Sequence, residues 1–188
     1  MNSISYFGFG NIARSLLFSA LLLFAAFGCR RYNTQQPETD NASTERQKKE
    51  ILMRVNKDMV DAEDKAIEAF TESNGWLMQT SKSGLRYMIY RKGNGEKAET
   101  GKIAELAYTL SLLDGTVCYS SEQSGPKIFR LGKGGVEPGL EEGVLLLHVG
   151  DKARFVMPPH LAHGLSGDGI RIPKRAIIVY DMELLSLK

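Results

Sequence analysis

From Gly84 onward the chain alternates apolar and polar residues with a period of two, punctuated by turn dipeptides, and only Gly139 to Leu147 breaks that rhythm with helical spacing. Such a series folds into an antiparallel sheet with one buried face and a helix laid against it. Gly84 to Tyr90 is the first expected strand, and Ile103 to Leu113 the second, with Leu106, Tyr108, Leu110 and Leu112 on one face. Asp114-Gly115 turns the chain back through Val117 to Ser120 as a hairpin. Lys127 to Leu131, Asp151 to Met157 and Ala176 to Ser186 complete the set. Pro138 suits a first helical position, and Glu141 and Glu142 suit the positive end of the helix dipole. With Leu140, Val144 and Leu147 turned inward, the helix fills the concave side, and the fold class is α+β: an antiparallel half-barrel sheet wrapped on one short helix.

The N-terminal segment obeys different rules. No Asp or Glu precedes Glu38, and Leu16 to Phe27 is apolar apart from Ser19. The run is shorter than the roughly 20 residues a membrane-spanning helix needs, and it ends in small residues, so residues 1–28 read as a signal peptide. Ala26-Phe27-Gly28-Cys29 resembles a bacterial lipobox, which implies lipidation at Cys29 and a domain anchored to a membrane of the cell envelope, facing the periplasm or the cell surface. An ordinary signal with an incidental cysteine, or a short uncleaved anchor, is the alternative, and Arg30 and Arg31 weigh slightly against export. With Cys29 lipidated, Cys118 has no internal partner and no disulfide is expected.

Residues 29–44 are polar and poor in large apolar side chains, which suits a tether. Over residues 45–75 the pattern changes again: Leu52, Val55, Met59, Ala62, Ala66 and Phe70 recur at spacings of three and four, an amphipathic helix stopped near Asn74-Gly75. Its narrow stripe is expected to pack on the chain's own domain, residues 76–188, with a homodimer contact through residues 45–75 as the alternative.

Val136-Glu137-Pro138-Gly139-Leu140-Glu141-Glu142-Gly143, Val149-Gly150-Asp151, Ala162-His163-Gly164 and the closing strand through Tyr180-Asp181, together with Ala107-Tyr108-Thr109 and Asp114-Gly115-Thr116, resemble the FKBP family of peptidyl-prolyl cis-trans isomerases in order and spacing. The resemblance implies the half-barrel, proline-containing polypeptide clients, and no cofactor. It implies a pocket walled by Tyr108 and Val136, floored by Leu140, bounded by Ile172 and based on Tyr180, with the main-chain N–H of Glu137 as a donor to bound peptide. Cys118, Tyr119, Phe129 and His163 are the implied substrate contacts.

Several of these positions depart from the family pattern. Where the family has Phe-Asp before Ser-Ser this chain has Cys118-Tyr119, His163 replaces a hydrogen-bonding tyrosine, and Lys127 stands where another pocket aromatic is usual. The implied function is prolyl isomerisation of exported or envelope proteins; a non-catalytic chaperone or binding module with an altered pocket is the rival. Other chemistries find little support. His160, His163 and Asp168 lie in a Pro- and Gly-rich loop without the ligand cluster of a metal site. Gly101-Lys102 is followed by Ile103, which does not match a phosphate loop. A net charge of +2, from 24 basic and 22 acidic residues well mixed, leaves no basic stripe for nucleic acid.

Overall fold

A computed structural model describes residues 38–188. The expected signal peptide, Cys29 and the tether as far as residue 37 lie outside the described residues. Helix α1 spans Glu38–Ser73, so residues 38–44, expected to be tether, are helical. The chain divides into two compact units after Ile51.

Within the unit from Leu52 to Lys188, short strand β1 (Gln79–Thr80) leads to β2 (Arg86–Arg91), β3 (Ile103–Leu112), β4 (Val117–Ser120), β5 (Lys127–Arg130), β6 (Lys152–Met157) and β7 (Ile178–Leu187). Two one-turn elements, helix α2 (Ser121–Ser124) and a 3-10 turn (Pro159–Leu161), join helix α3 (Pro138–Val144). The strands form one antiparallel sheet in the order β1-β2-β6-β7-β3-β4, and β5 also pairs with β3. The Asp114-Gly115 hairpin forms as expected: Gly115 takes φ +85°, where a side chain would be strained, and the Thr116 N–H donates to Asp114 Oδ1 at 2.9 Å.

The two sheet faces are buried by different partners. On the concave face, Leu106, Leu110, Phe155, Tyr180 and Leu184 close over Leu140, Val144 and Leu147 of α3 and the turn after it. The helix comes very near β6 because residue 143 is glycine: a Cβ there would lie 2.3 Å from Phe155 Cε2. Val156 and Val179, one residue out of phase with Phe155 and Tyr180, face the other way and meet Ile67 of α1, with Phe70 and Trp76 alongside. That explains why β6 ends in a continuously buried run, Phe155 to Met157.

The packing face of α1 differs from the expected stripe. Leu52, Val55 and Met59 are 68%, 48% and 41% exposed, and Ala62 and Ala66 also face solvent. Ile67, fully buried, carries the contact, flanked by two ion pairs: Glu63 Oε1 accepts from Arg175 Nη2 at 2.6 Å, and Asp64 Oδ1 from Arg86 Nη2 at 3.2 Å. Helix periodicity leaves the choice of face open where apolar residues stand on two sides, and the positions of Arg86 and Arg175 in the sheet region select one.

Candidate functional site

The rim of the concave face gathers segments distant in sequence. Tyr108 comes from β3, Tyr180 from β7, and Lys127 opens β5, while Val136 and Glu137 precede α3 and His163 follows the 3-10 turn. The Tyr108 and Tyr180 rings lie 5.7 Å apart and tilted by 45°. Two adjoining recesses open here. One, about 250 Å³, is lined by Tyr108, Leu110, Tyr119, Lys127, Glu137, His163 and Asp168. The other, about 360 Å³, runs along Lys127, Val136, Glu137, Pro138 and His163.

Glu137 is the side chain on which the rest converge. Its Oε1 accepts from the Tyr180 hydroxyl at 2.8 Å and from His163 Nε2 at 3.1 Å, while its Oε2 lies 3.3 Å from Lys127 Nζ. Lys127 Nζ also donates to the Tyr180 hydroxyl at 2.9 Å. The carboxylate is only 6% exposed, against 25% for the lysine side chain. Burial pushes the Glu137 carboxyl up, but the Lys127 charge, its own backbone N–H, the Tyr180 hydroxyl and His163 outweigh that and hold it below its usual value. Burial, the Glu137 charge and the hydrogen bond to it drive the Tyr180 phenol strongly up, so it stays a donor at physiological pH.

A second cluster shapes the neighbouring loop. Asp168 Oδ1 accepts the backbone N–H groups of Ile170, Arg171 and Ile172 at 2.9, 2.9 and 2.8 Å, and Oδ2 accepts from the Tyr119 hydroxyl. Although what burial it has raises it, the Tyr119 hydroxyl and these three N–H groups lower its carboxyl far below the ordinary range. Arg171 stacks its guanidinium 5.2 Å from the Tyr119 ring centroid and donates to the Cys118 carbonyl at 2.6 Å. The aromatic ring lost at position 118 thus has a neighbour in Tyr119, held in place from the opposite loop.

The structure brings Tyr108, Tyr119, Val136, Glu137 and His163 to the recesses, while Tyr180, 0% exposed, lies behind them and reaches the site through its hydroxyl. The structure also places Leu140 and Ile172 behind them, 0% and 3% exposed, as packing for the walls. Cys118 is 1% exposed beneath the surface, and burial first, then Asp168, raise its thiol. Phe129 pairs with Ala104 across β3 and packs on the core, away from both recess linings. The family resemblance implies only the main-chain N–H of Glu137 as a donor; its side chain also occupies the centre of the site. His160 turns away and bonds the Ser83 carbonyl at 2.9 Å, so it does not join His163. Lys127 and Asp168 were visible only as a lost aromatic and a possible metal ligand, and their roles depend on partners 53 and 49 residues away.

Residues 94–185 match the family model described as FKBP-type peptidyl-prolyl cis-trans isomerase. The structure is similar to that of FkpA from Escherichia coli, with a TM-score of 0.60 and 30% identity over 93% of this chain and 82% of that one. The chain belongs to the FKBP-type peptidyl-prolyl cis-trans isomerase family. A second FKBP structure, AtFKBP13, is matched over 98% of its length with a TM-score of 0.57 and 30% identity. In sequence the chain is 37% identical over 139 residues to the isomerase FkpA of Aeromonas hydrophila, covering 72% of this chain and 50% of the relative. With FkpA of Escherichia coli strain K12 it shares 34% over 155 residues, 80% of this chain and 56% of the relative. The chain therefore spans about half the length of these relatives.

Proposed function

We propose that the chain is a peptidyl-prolyl cis-trans isomerase acting on proline-containing polypeptides. One observation carries this reading: the two recesses are walled by Tyr108, Val136 and the Lys127 stem at the open rim of the concave sheet face, where an extended peptide can lie with a prolyl ring turned inward. Rotation about a peptide bond is opposed by a barrier of about 18–20 kcal/mol from amide resonance. In the twisted transition state that resonance is lost and the carbonyl is less polar, so a water-poor wall that grips the ring favours the twisted form. Lys127 and His163, both hydrogen-bonded to Glu137, bring N–H donors to the rim. No nucleophile is required.

The test is isomerisation of short X-Pro peptides by the soluble fragment from residue 30 to 188, beside refolding of a protein limited by proline. Acceleration that drops at least about tenfold on Tyr108→Ala supports the reading. A folded fragment that accelerates neither substrate favours the rival reading, a non-catalytic binding module. The Lys127–Glu137 pair, its carboxylate buried and polar where an apolar floor would suit a prolyl ring, is the observation on that side.

Envelope proteins are the proposed clients, and a membrane anchor at Cys29 the proposed location, supported by the apolar run from Leu16 and the Gly28-Cys29 pair. Cys29→Ser is expected to shift the protein from the membrane to the soluble fraction. A wild-type protein already soluble would sink this. A homodimer through residues 45–75 is the proposed assembly, supported by the exposed Leu52, Val55 and Met59.

A further inference from the structure

The Lys127–Glu137 pair invites a question that stability alone does not answer, because a buried ion pair does little better than apolar side chains of the same size. The position of the ammonium is informative. Lys127 Nζ lies 5.4 Å from the Tyr108 ring centroid and 5.5 Å from that of Tyr180. It is 2.9 Å from the Tyr180 hydroxyl and 3.3 Å from the Glu137 carboxylate. Two ring faces, a phenol oxygen and a desolvated carboxylate are together the groups that bind an alkylammonium. Here they bind one supplied by the chain itself.

Lys127 reaches this place from β5, which among the described residues pairs with β3 alone, on a flexible four-carbon stem that is 25% exposed and lines both recesses. Its ammonium is therefore open to exchange from the mouth. An anion is disfavoured there, since it would meet the Glu137 carboxylate at once, and Lys127 has already committed N–H groups to Glu137 and Tyr180. A cation that takes the place of Lys127 leaves the charge of the site unchanged. What the newcomer loses in association entropy is partly offset by the rotamer freedom Lys127 regains in water.

We propose that this recess is a binding site for a primary alkylammonium, the lysine side chain of a polypeptide, and that Lys127 is its resident, displaceable occupant. The inference goes beyond isomerisation and is read by binding, so a lack of turnover leaves it standing and its failure leaves the isomerase reading untouched. In the wild-type chain the resident competes, and binding is weak. Removing the resident opens the site.

The experiment compares Nα-acetyl-lysine methylamide with the norleucine analogue, titrated calorimetrically at pH 8 into the full chain and its Lys127→Ala variant. The variant is expected to bind the lysine probe at least about tenfold more tightly than wild type, with no matching gain for norleucine, and to lose that gain when Glu137→Gln is added. Equal affinity for the two probes in the variant, or a preference that survives Glu137→Gln, overturns the proposal. Should Lys127→Ala fail to fold, Lys127→Met keeps an unbranched side chain there while removing the charge. It is taken through a thermal melt with n-butylammonium chloride against sodium chloride of equal ionic strength. A rise in melting temperature specific to butylammonium supports the site, and an identical response to both salts overturns it.

Discussion

Glu137 stands where an apolar side chain would leave a plain hydrophobic floor, and its environment makes a definite pH signature. Its carboxyl is raised by burial but lowered further by Lys127, its own backbone N–H, Tyr180 and His163, so its folded value lies below that of the unfolded chain. The charged form therefore stabilises the fold above the ordinary carboxylate range, and that contribution is lost as pH falls through the lowered folded value. Glu137→Gln removes the charge and leaves Lys127 with a weaker acceptor; at neutral pH it is expected to cost about 1–3 kcal/mol. Urea denaturation across a pH series should show the gap between wild type and variant narrowing below about pH 4. A gap that stays constant through that range would mean the carboxylate is not held ionised by this cluster.

At the scale of elements, α3 owes its place to two glycines. A Cβ at Gly139 would meet Met157 Sδ at 2.9 Å, and one at Gly143 would meet three Phe155 ring atoms at 2.3, 2.6 and 2.7 Å. Replacing a helical glycine with alanine gains about 1 kcal/mol in helix propensity. Overpacking a filled core costs about 1–3 kcal/mol, and with ring atoms on that side and the helix backed by the sheet the clash wins. Gly143→Ala is thus expected to lower stability, read as a lower urea midpoint with an unchanged slope; a rise would show that Phe155 has room to turn aside. The motif Pro138-Gly139-Leu140-Glu141-Glu142-Gly143 was legible as a helix start from its proline and carboxylates. That its glycines are contact surfaces was not, because β6 lies nearby only in three dimensions. For α1 the amphipathic pattern was legible, but its packing face was not. Ile67 is the buried anchor, and what distinguishes it from Leu52 or Met59 is the sheet beneath it and the arginines beside it.

At the scale of the whole molecule, the proposed homodimer rests on apolar side chains that the described residues leave exposed along α1, including Leu52, Val55 and Met59. Burying a large aliphatic side chain is worth about 1.5–3 kcal/mol, so a contact using several of them on each chain can hold two copies together. Sedimentation of the full chain is expected to give a dimer, and Leu52→Glu with Met59→Glu a monomer with an unchanged sheet signature by circular dichroism. A wild-type protein that sediments as a monomer at high concentration defeats the proposal. By itself the sequence determined the elements whose causes lie a few residues apart: alternation in β3 and β7, the Asp114-Gly115 hairpin, the proline-started helix and the order of motifs that places the chain among FKBP-type proteins. Backbone preference and hydrophobic period act between neighbours, so they are readable in one dimension. The tertiary structure alone decided which face of α1 is buried, that Phe129 packs on the core, and that Glu137, Lys127, His163 and Tyr180 meet in one cluster. Charge and hydrogen bonding act over a few ångströms of space, and only the folded chain brings those four residues within that reach.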